Sequence, residues 1–240
     1  MPGPRPDASP SKSVVIDRLT GVEGAGRARG VVVVIDVIRS FSVSAYALSG
    51  GARECLLVST TAEARALHDR IPGSLISAEE GALPVLGIPI SNSPTQIVAA
   101  DLKDRVLIQR SSAGTTVMSA VKSAEELYAA SLVVAKATAM ACLSKQPQVV
   151  TLLASADHPE DHACSLYIEG LLLGEERDLA RLLRPLRASD RYARAMSGTW
   201  PGFPPTDLEL SLAPPDRFDF SMPATRHENY LRLTAVASAH

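Results

Sequence analysis

The chain has 240 residues, 46% of them hydrophobic, and a formal net charge of −2 at pH 7. This length assures a sizeable hydrophobic core in one large domain or two closely packed ones. The near balance of charge argues against nucleic acid or an acidic membrane surface as the main partner, and the apolar runs are too short to cross a bilayer. The three cysteines lack CxxC spacing, which argues against a disulfide framework and favours a cytoplasmic protein.

Apolar strand-like runs alternate with helical patterns along the chain, as βαβ units require. Residues 1–12 are rich in proline and small residues and predict a disordered leader rather than a secretion signal. Strands are predicted near 13–17, 31–36, 54–58, 74–78, 105–109, 131–135 and 148–154. Helices are predicted near 40–49, 61–70, 94–100, 114–122, 137–144 and 161–174. The fold class is therefore α/β, with a mostly parallel sheet covered by helices.

Two regions depart from this alternation. Residues 81–93 contain two prolines with glycines and serines, which predicts an ordered loop across the active edge of the sheet. Residues 175–196 are arginine-rich with a helical pattern, and the alternating run TDLELSL further on predicts a terminal strand. Because no low-complexity linker divides the chain, we expect residues 13–240 to form a single unit. The alternative is two intimately packed subdomains, with the C-terminal one starting at about 175.

The run VVVVID at 31–36 contains five β-branched residues in succession and ends in Asp36, with Arg39 three residues further on. Such a run predicts a strand that is covered on both faces, as in parallel sheets. Open α/β folds bind their ligands at the carboxyl edge of the sheet. We therefore expect Asp36 to be a magnesium-binding or nucleophilic carboxylate.

Two further clusters admit two interpretations each, the first directly after a predicted strand and the second at the end of the predicted loop. Glu79 and Glu80, in SAEEG at 77–81, form either a metal site or the solvated start of a loop, and position alone favours the loop. Asn92 and Ser93 precede Pro94, which is typical of a helix N-cap. A capped helix start can also bind an anion.

The segment RSSAGTT at 110–116 follows the apolar run VLIQ. A strand that leads through small residues into a helix presents backbone N–H groups to a phosphate, because the helix N-terminus supplies positive potential. We expect Gly114 to permit close approach and to adopt a positive φ. The segment is not a nucleotide P-loop, since it lacks the lysine of that motif.

The segment DHPEDHACSLYIEG at 157–170 carries two histidines and three acids. His158 and His162 are four residues apart and could both bind a metal if Pro159 opened a helix after His158. We do not expect zinc, because histidine among acids at a helix start more often forms a solvated first turn. Asp161 nevertheless follows a predicted strand, as Asp36 does. Carboxylates on one rim beside an anion-binding turn predict a site where Mg²⁺ bridges protein and phosphate.

These residues resemble the 2-phosphosulfolactate phosphatase family, magnesium-dependent acid phosphatases first associated with coenzyme M biosynthesis. The resemblance covers nearly the whole chain after residue 12, and its motifs occur in family order. They are IDVIRSFSVSAYALSGGA at 35–52, AEEG at 78–81, NSP at 92–94, SSAGT at 111–115, PED at 159–161 and DLELSLAPPDRFDFSMP at 207–223.

The resemblance implies the α/β fold of that family, Mg²⁺, and hydrolysis of a phosphate ester on a small carboxylated and sulfonated acid. Three departures stand out: Ala113 replaces the usual asparagine, Pro89 and Ser91 replace aspartate and glycine, and His162 replaces a small residue. Pro89 removes a carboxylate next to the site.

We expect Asp36, Arg39 and Asp161 to be the catalytic residues. Arg39 would grip the phosphate, and Arg110 with the histidines would meet the substrate's own carboxylate or sulfonate, although both arginines could instead be ion-pair partners of acids. Mg²⁺ would be held by two or three of Asp36, Glu79, Glu160 and Asp161. The residues expected to bind the phosphorylated substrate are Asn92, Ser93, Arg110, Ser111, Ser112, Gly114, Thr115 and His162.

Several questions stay open at this point. Asp36 could attack the phosphorus itself, or a carboxylate could position a metal-bound water, which we favour. The rival functions are a phospho-metabolite binding protein with weakened catalysis, on account of the three departures, and a magnesium-dependent lyase. A homodimer is expected from the apolar character of the chain.

Overall fold

In the part of the chain that the structure describes, an eleven-stranded sheet carries the fold, and helices pack against it. The computed structural model describes residues 14–238, so the predicted leader at 1–12 lies outside the described residues. The strands are β1 Val15–Thr20, β2 Val31–Ile35, β3 Glu54–Leu57, β4 Leu75–Glu80, β5 Leu83–Pro84, β6 Val106–Arg110, β7 Glu126–Ala130, β8 Val149–Ala154, β9 Phe220–Arg226, β10 Leu231–Leu233 and β11 Val236–Ala237.

The six predicted helices are found close to their expected positions, and a short helix that the sequence did not predict, Gly21–Ala25, follows the first strand. A 3₁₀ turn, Leu132–Val134, leads directly into one of them. The α-helices are α1 Gly21–Ala25, α2 Ser40–Ser49, α3 Thr61–Arg70, α4 Pro94–Val98, α5 Gly114–Ala120, α6 Ala135–Ser144, α7 Pro159–Leu173, α8 Leu179–Leu182, α9 Arg184–Arg187, α10 Asp190–Met196 and α11 Thr206–Ser211.

The sheet contains two sets of parallel strands joined by an antiparallel hairpin. Its order is β1-β8-β2-β7-β9-β10-β3-β6-β4-β5, and β11 pairs with β9. The first set is β1, β8, β2 and β7, and the second is β3, β6 and β4. The hairpin β9–β10 lies between β7 and β3. The prediction of a mostly parallel, helix-covered sheet is confirmed.

Strand β2 lies inside the first set and is buried along its whole length. It pairs in parallel with β7 on one side and with β8 on the other. Val32 and Val34 join the core that contains Phe41 of α2, whereas Val33 and Ile35 join a second core with Ile168 of α7. Burial of each such side chain stabilises the fold by roughly 1.5–3 kcal/mol, which explains why the β-branched run forms this strand.

The predicted strand at 131–135 is wrong. The strand is β7, five residues earlier, and the apolar run that follows it forms the 3₁₀ turn and the start of α6. Short apolar runs do not distinguish a buried strand from a buried helix start. Here the less apolar sequence ELYAA forms the strand because it pairs residue by residue with β2.

The predicted terminal strand in TDLELSL is also wrong, because these residues form α11. Its buried residues are Asp207, Leu208 and Ser211, a spacing of one helical face. Over a segment of only six residues, the apolar pattern is compatible with both a strand and a helix, so it does not decide between them. The helical pattern predicted for 175–196 is found as three short helices, α8 to α10.

Across residues 14–238, no helix is long and apolar enough to span a membrane.

Candidate active site

A cavity of about 240 Å³ lies beside the ends of strands from both parallel sets. Asp36 follows β2 and Ser155 follows β8, whereas Ser111 follows β6 and Glu79 lies near the end of β4. The predicted rim is therefore assembled from both parallel sets. The residues that line the cavity are Asp36, Ile38, Arg39, Glu79, Gly81, Ala82, Asn92, Ser111, Ser112, Ala113, Ser155, His158, Arg191, Trp200 and Phe203.

Asp36 is a buried carboxylate in the turn between β2 and α2. Its backbone N–H donates to the Ala130 carbonyl at the end of β7 (3.1 Å), which extends the sheet by one residue. Its Oδ1 accepts a hydrogen bond from the Ser40 N–H (3.0 Å) in the first turn of α2. Burial raises the pKa of Asp36 to about 6, although the Ser40 N–H and the charge of Arg191 act in the opposite direction.

Asp161 supports the same turn from the start of α7. Pro159 is the first residue of this helix and His158 its N-cap, so the helix begins two residues before its predicted start at 161. Asp161 Oδ1 accepts from the Val37 N–H (2.8 Å), and Oδ2 accepts from the Ser155 hydroxyl (3.0 Å). Burial and, next, the charge of Asp36 raise the pKa of Asp161 well above its ordinary value.

Glu160 is fully buried and, like Asp161, is not part of the cavity lining, but it pairs with Arg191, which is. Its Oε1 forms an ion pair with Nε of Arg191 (3.1 Å), and Nη2 of the same arginine donates to the Ile38 carbonyl (3.0 Å). Its Oε2 has no hydrogen-bond partner among the described residues. Such an unpaired buried oxygen is costly unless a ligand or an ion satisfies it.

The turn at 111–115 is fixed by hydrogen bonds between its own ends. The Ser111 N–H donates to the Thr115 hydroxyl (3.0 Å), and the Thr115 N–H donates to the Ser111 hydroxyl (3.0 Å). The Ser111 and Ser40 hydroxyls are 2.9 Å apart, which ties the turn to α2. Ser111, Ser112 and Ala113 face the cavity, whereas Gly114 and Thr115 are not part of its lining.

The structure explains the glycine at position 114 by close packing and not by a left-handed backbone conformation. Its φ is not positive, so the expected left-handed conformation is wrong. A Cβ at this position would lie 2.7 Å from both Asp36 Oδ2 and Ser40 Oγ. The close approach is therefore to the protein's own carboxylate, because the helix α5 starts directly against Asp36.

Glu79 connects the turn at 111–115 to the loop at 81–93. It accepts hydrogen bonds from the Ser112 N–H, from the Ser112 hydroxyl (3.1 Å) and from the Ala82 N–H (2.6 Å). The Ser112 N–H, which we expected to face a phosphate, is thus bonded to a carboxylate in this structure. Arg110 donates to the Glu79 carbonyl and lies outside the cavity lining.

Arg39 lines the cavity and is held from three directions. Its Nη1 donates to Asp207 Oδ2 (2.8 Å) and to the Gly202 carbonyl (2.7 Å). Its guanidinium carbon lies 4.2 Å from the centre of the Phe203 ring. Burial lowers the pKa of Arg39, and the Asp207 carboxylate opposes this shift. The ion pair raised as an alternative from the sequence exists, with an acid from α11 as the partner.

The segment at 92–94 forms the predicted helix cap. Ser93 caps α4 by accepting from the Gln96 N–H (3.3 Å), and its hydroxyl donates to Asp207 (2.7 Å). Ser93 is not part of the cavity lining, but Asn92 is. Asn92 Oδ1 is buried and lacks a hydrogen-bond partner within residues 14–238.

The two histidines have different environments. His158 lines the cavity, and burial together with the charge of Arg191 lowers its pKa. His162 lies outside the lining, where its Nε2 is 2.7 Å from Oδ1 of the exposed Asp157.

Several residues that line or support the cavity are absent from the sequence-based candidates. Ser155 gave no signal beyond following a strand, and Arg191 was one of several arginines in a helical segment. Trp200 and Phe203 lie in an irregular proline-rich stretch, where the only signal is the presence of the chain's single tryptophan. Asp207 was hidden in the segment that predicts a strand.

A sequence model of the family described as 2-phosphosulpholactate phosphatase matches residues 19–196 of this chain. The chain belongs to this family. The matched range includes Asp36, Glu79, Asp161 and Arg191, whereas Trp200, Phe203 and Asp207 follow it.

Curated relatives carry the same name. A protein named probable 2-phosphosulfolactate phosphatase from Bacillus subtilis (strain 168) is 37% identical over 147 residues, 59% of this chain and 64% of the relative. Proteins of that name from Carboxydothermus hydrogenoformans and Deinococcus radiodurans are 36% and 27% identical, over 61% and 59% of this chain and 62% and 60% of their own lengths. The matches thus span less than two thirds of each relative.

The carboxylates offer a partial metal site. Between residues 14 and 238, no three His, Cys, Asp or Glu side chains are gathered so that they alone could hold a metal ion. Mg²⁺, however, often takes only one or two carboxylates and completes its coordination with water and substrate phosphate. Asp36 lines the cavity and could supply one such carboxylate. Glu160 has an unpaired Oε2 but is not part of the lining. Both oxygens of Asp161 already accept hydrogen bonds.

We expect Gly114→Ala to destabilise the fold by about 1–3 kcal/mol, the usual cost of overpacking a buried site. The added methyl group would overlap the Asp36 carboxylate and the Ser40 side chain. Urea unfolding measures this change. Gly26→Ala is the matched control, because its Cβ would lie 3.5 Å from the nearest carbonyl, an ordinary contact. Equal unfolding midpoints for the two variants would contradict the close approach at Gly114.

Proposed function

We propose that this protein hydrolyses the phosphate ester of a small acidic metabolite, 2-phosphosulfolactate or a related phospho-hydroxy acid, to the hydroxy acid and inorganic phosphate. One observation carries the proposal: Asp36 and Arg39, from a single turn, face one small cavity in a chain of the 2-phosphosulpholactate phosphatase family. A volume of about 240 Å³ is below the range of roughly 300–1,000 Å³ typical of drug-sized ligands, which supports a substrate of few carbon atoms.

The cations of the cavity are suited to an anionic substrate. Arg39 uses only Nη1 in its hydrogen bonds to described residues, which leaves Nη2 for a phosphate oxygen. Its stacking on Phe203 fixes the plane of the guanidinium, so that the donors are pre-aimed and little is reorganised on binding. Arg191 lies in the same cavity and would meet the second anionic group of the substrate, to which the neutral imidazole of His158 could donate a hydrogen bond.

Asp36 is the residue we assign to the reacting phosphorus. With a pKa of about 6, it is largely ionised at neutral pH. Two routes are open to it: the carboxylate attacks the phosphorus itself, or it orients the attacking water. Asp161 would support either route by holding the Val37 N–H and the Ser155 hydroxyl beside Asp36.

We propose Mg²⁺ as the cofactor, which Asp36 and Glu160 would hold. When bound, Mg²⁺ neutralises phosphate charge and polarises the ester for displacement. The unpaired buried oxygen of Glu160 supports this assignment. Glu79 is less suited to it, since its oxygens accept hydrogen bonds from Ser112 and Ala82.

A second candidate function is a phospho-metabolite binding protein with weakened catalysis. The observation in its favour is the Ser112 N–H, which donates to Glu79 rather than pointing freely into the cavity. Ala113 lines the cavity at a position where the family usually has asparagine, so the cavity lacks a polar side chain there. The cytoplasmic location and the homodimer expected from the sequence stay predictions.

The proposed function is tested by phosphate release from a panel of small phospho-hydroxy acids, with and without Mg²⁺. We expect release that requires Mg²⁺ and falls at least about a hundredfold in Asp36→Asn, because the variant keeps the volume and loses the charge. Asp101→Asn, an exposed acid paired with Arg105, should retain wild-type turnover. Tight binding of a panel member without release by the wild type would favour the binding protein. Formation of an unsaturated acid instead of the hydroxy acid would favour the lyase.

Mg²⁺ should also raise the melting temperature of the wild-type protein in the absence of substrate. A ligand that binds only the folded state stabilises it by about 2.7 kcal/mol at a hundred times its dissociation constant. The shift should disappear in Asp36→Asn and persist in Asp101→Asn, as measured by differential scanning calorimetry. An equal shift in all three proteins would assign the cation to another place on the molecule.

A further inference from the structure

Asp207 is a buried carboxylate that contacts the candidate active site without lining the cavity. It lies in the first turn of α11 and is fully buried, with a side-chain exposure of 0%. Its two oxygens have separate partners. Oδ2 accepts from Arg39 Nη1 (2.8 Å), and Oδ1 accepts from the Ser93 hydroxyl (2.7 Å) and the Thr95 N–H (2.9 Å).

The Arg39 side chain depends on this carboxylate for its charge balance. Its side-chain exposure is 4%, so its charge is removed from water almost completely. A buried cation is costly unless an anion and hydrogen bonds compensate it. In the structure, the ion pair is with Asp207, and a carbonyl and an aromatic ring complete the contacts of Arg39.

Asp207 also joins two segments that reach the cavity from different directions. Through Oδ1 it holds Ser93 and Thr95 at the start of α4, directly after Asn92, which lines the cavity. Through Oδ2 it holds Arg39 from the turn after β2. One carboxylate therefore fixes the position of Arg39 relative to Asn92.

We propose that Asp207 is the positioning residue of the site: it orients Arg39 for the phosphate and couples that grip to the loop that carries Asn92. The inference rests on the proposed function in so far as Arg39 binds the substrate's phosphate. Asp207 does not touch the substrate and acts through Arg39. Helix α11, which lies beyond the range matched by the family, is thereby part of the functional unit.

The separate partners of the two oxygens make Asp207→Asn an informative variant. The asparagine Oδ1 can still accept from Ser93 and Thr95, whereas its Nδ2 would face Arg39 as a second donor. We expect kcat/KM for phosphate release to fall on the order of a hundredfold, as misplacement of a substrate-binding group does. Glu54→Gln is the matched control, since it converts the carboxylate of another ion pair, with Arg232 on β10, to an amide.

A double-mutant cycle distinguishes positioning from a structural role. Arg39→Gln should lose at least as much kcat/KM as Asp207→Asn, and the double variant should be no worse than Arg39→Gln alone, because Asp207 acts through Arg39. Asp207→Glu moves the same charge by one methylene group and should recover part of the loss. It also replaces Asp207→Asn in the cycle if the asparagine variant does not fold.

Inorganic phosphate provides a readout that does not require turnover. Calorimetry should show its affinity weakened by Asp207→Asn and by Arg39→Gln but not by Glu54→Gln. A wild-type protein that binds phosphate in this Asp207-dependent way, yet releases none from any substrate, refutes the proposed function and supports the positioning role. The inference is overturned if the losses in kcat/KM of the two single variants add in the double variant. It is also overturned if Asp207→Asn lowers the unfolding midpoint but leaves kcat/KM and phosphate affinity unchanged. A wild-type protein that neither binds nor releases phosphate overturns both.

Discussion

Two buried carboxyl groups, Asp36 and Asp161, hold the turn between β2 and α2 through its N–H groups, and the charge of Asp36 raises the pKa of Asp161. Burial and the neighbouring charge both raise the pKa of Asp161, which means that the folded state is destabilised by ionising the pair. Three features reduce that cost: N–H groups from the turn after β2, the Ser155 hydroxyl and the charge of Arg191. A cation bound beside Asp36 would reduce the cost of ionisation further. The buried negative charge that destabilises the folded state therefore favours binding of a cation.

The sequence predicts those parts of the fold that local physics decides. Strand β2 and helix α2 were found where expected, because five β-branched residues in a row need two covered faces and are followed by a helical pattern. Strand β7 was misplaced because only its pairing with β2 distinguishes ELYAA from the more apolar run after it. The sequence predicts a strand where α11 lies, because the apolar pattern of a six-residue segment fits the period of a strand as well as that of a helix. In both cases the deciding contacts are distant in sequence.

The candidate site shows the same division. Asp36, Glu79, Asn92 and His158 face the cavity as residues near strand ends or helix starts. Their exact partners could not be predicted, since Asp207 meets Arg39 across 168 positions of sequence and Ser112 meets Glu79 across 33. Gly114 shows the difference. The sequence suggests that a glycine is needed here so that a phosphate can approach the backbone, whereas in the structure a side chain is excluded because α5 packs against Asp36. The sequence thus predicts some of the residues that face the cavity, but it does not predict the hydrogen bonds between them.

The position of the β9–β10 hairpin has a consequence for how the chain acquires its structure. These strands lie in the middle of the sheet but follow all but one of the other strands in chain order. During synthesis, β7 and β3 therefore present unpaired edges until residues 220–233 are available. Pairings of such large sequence separation form slowly, and an open strand edge is a template for association with other chains. Two strands that come late in chain order thus seal the interior of the sheet, so the nascent protein is exposed to misassembly until residues 220–233 have been synthesised.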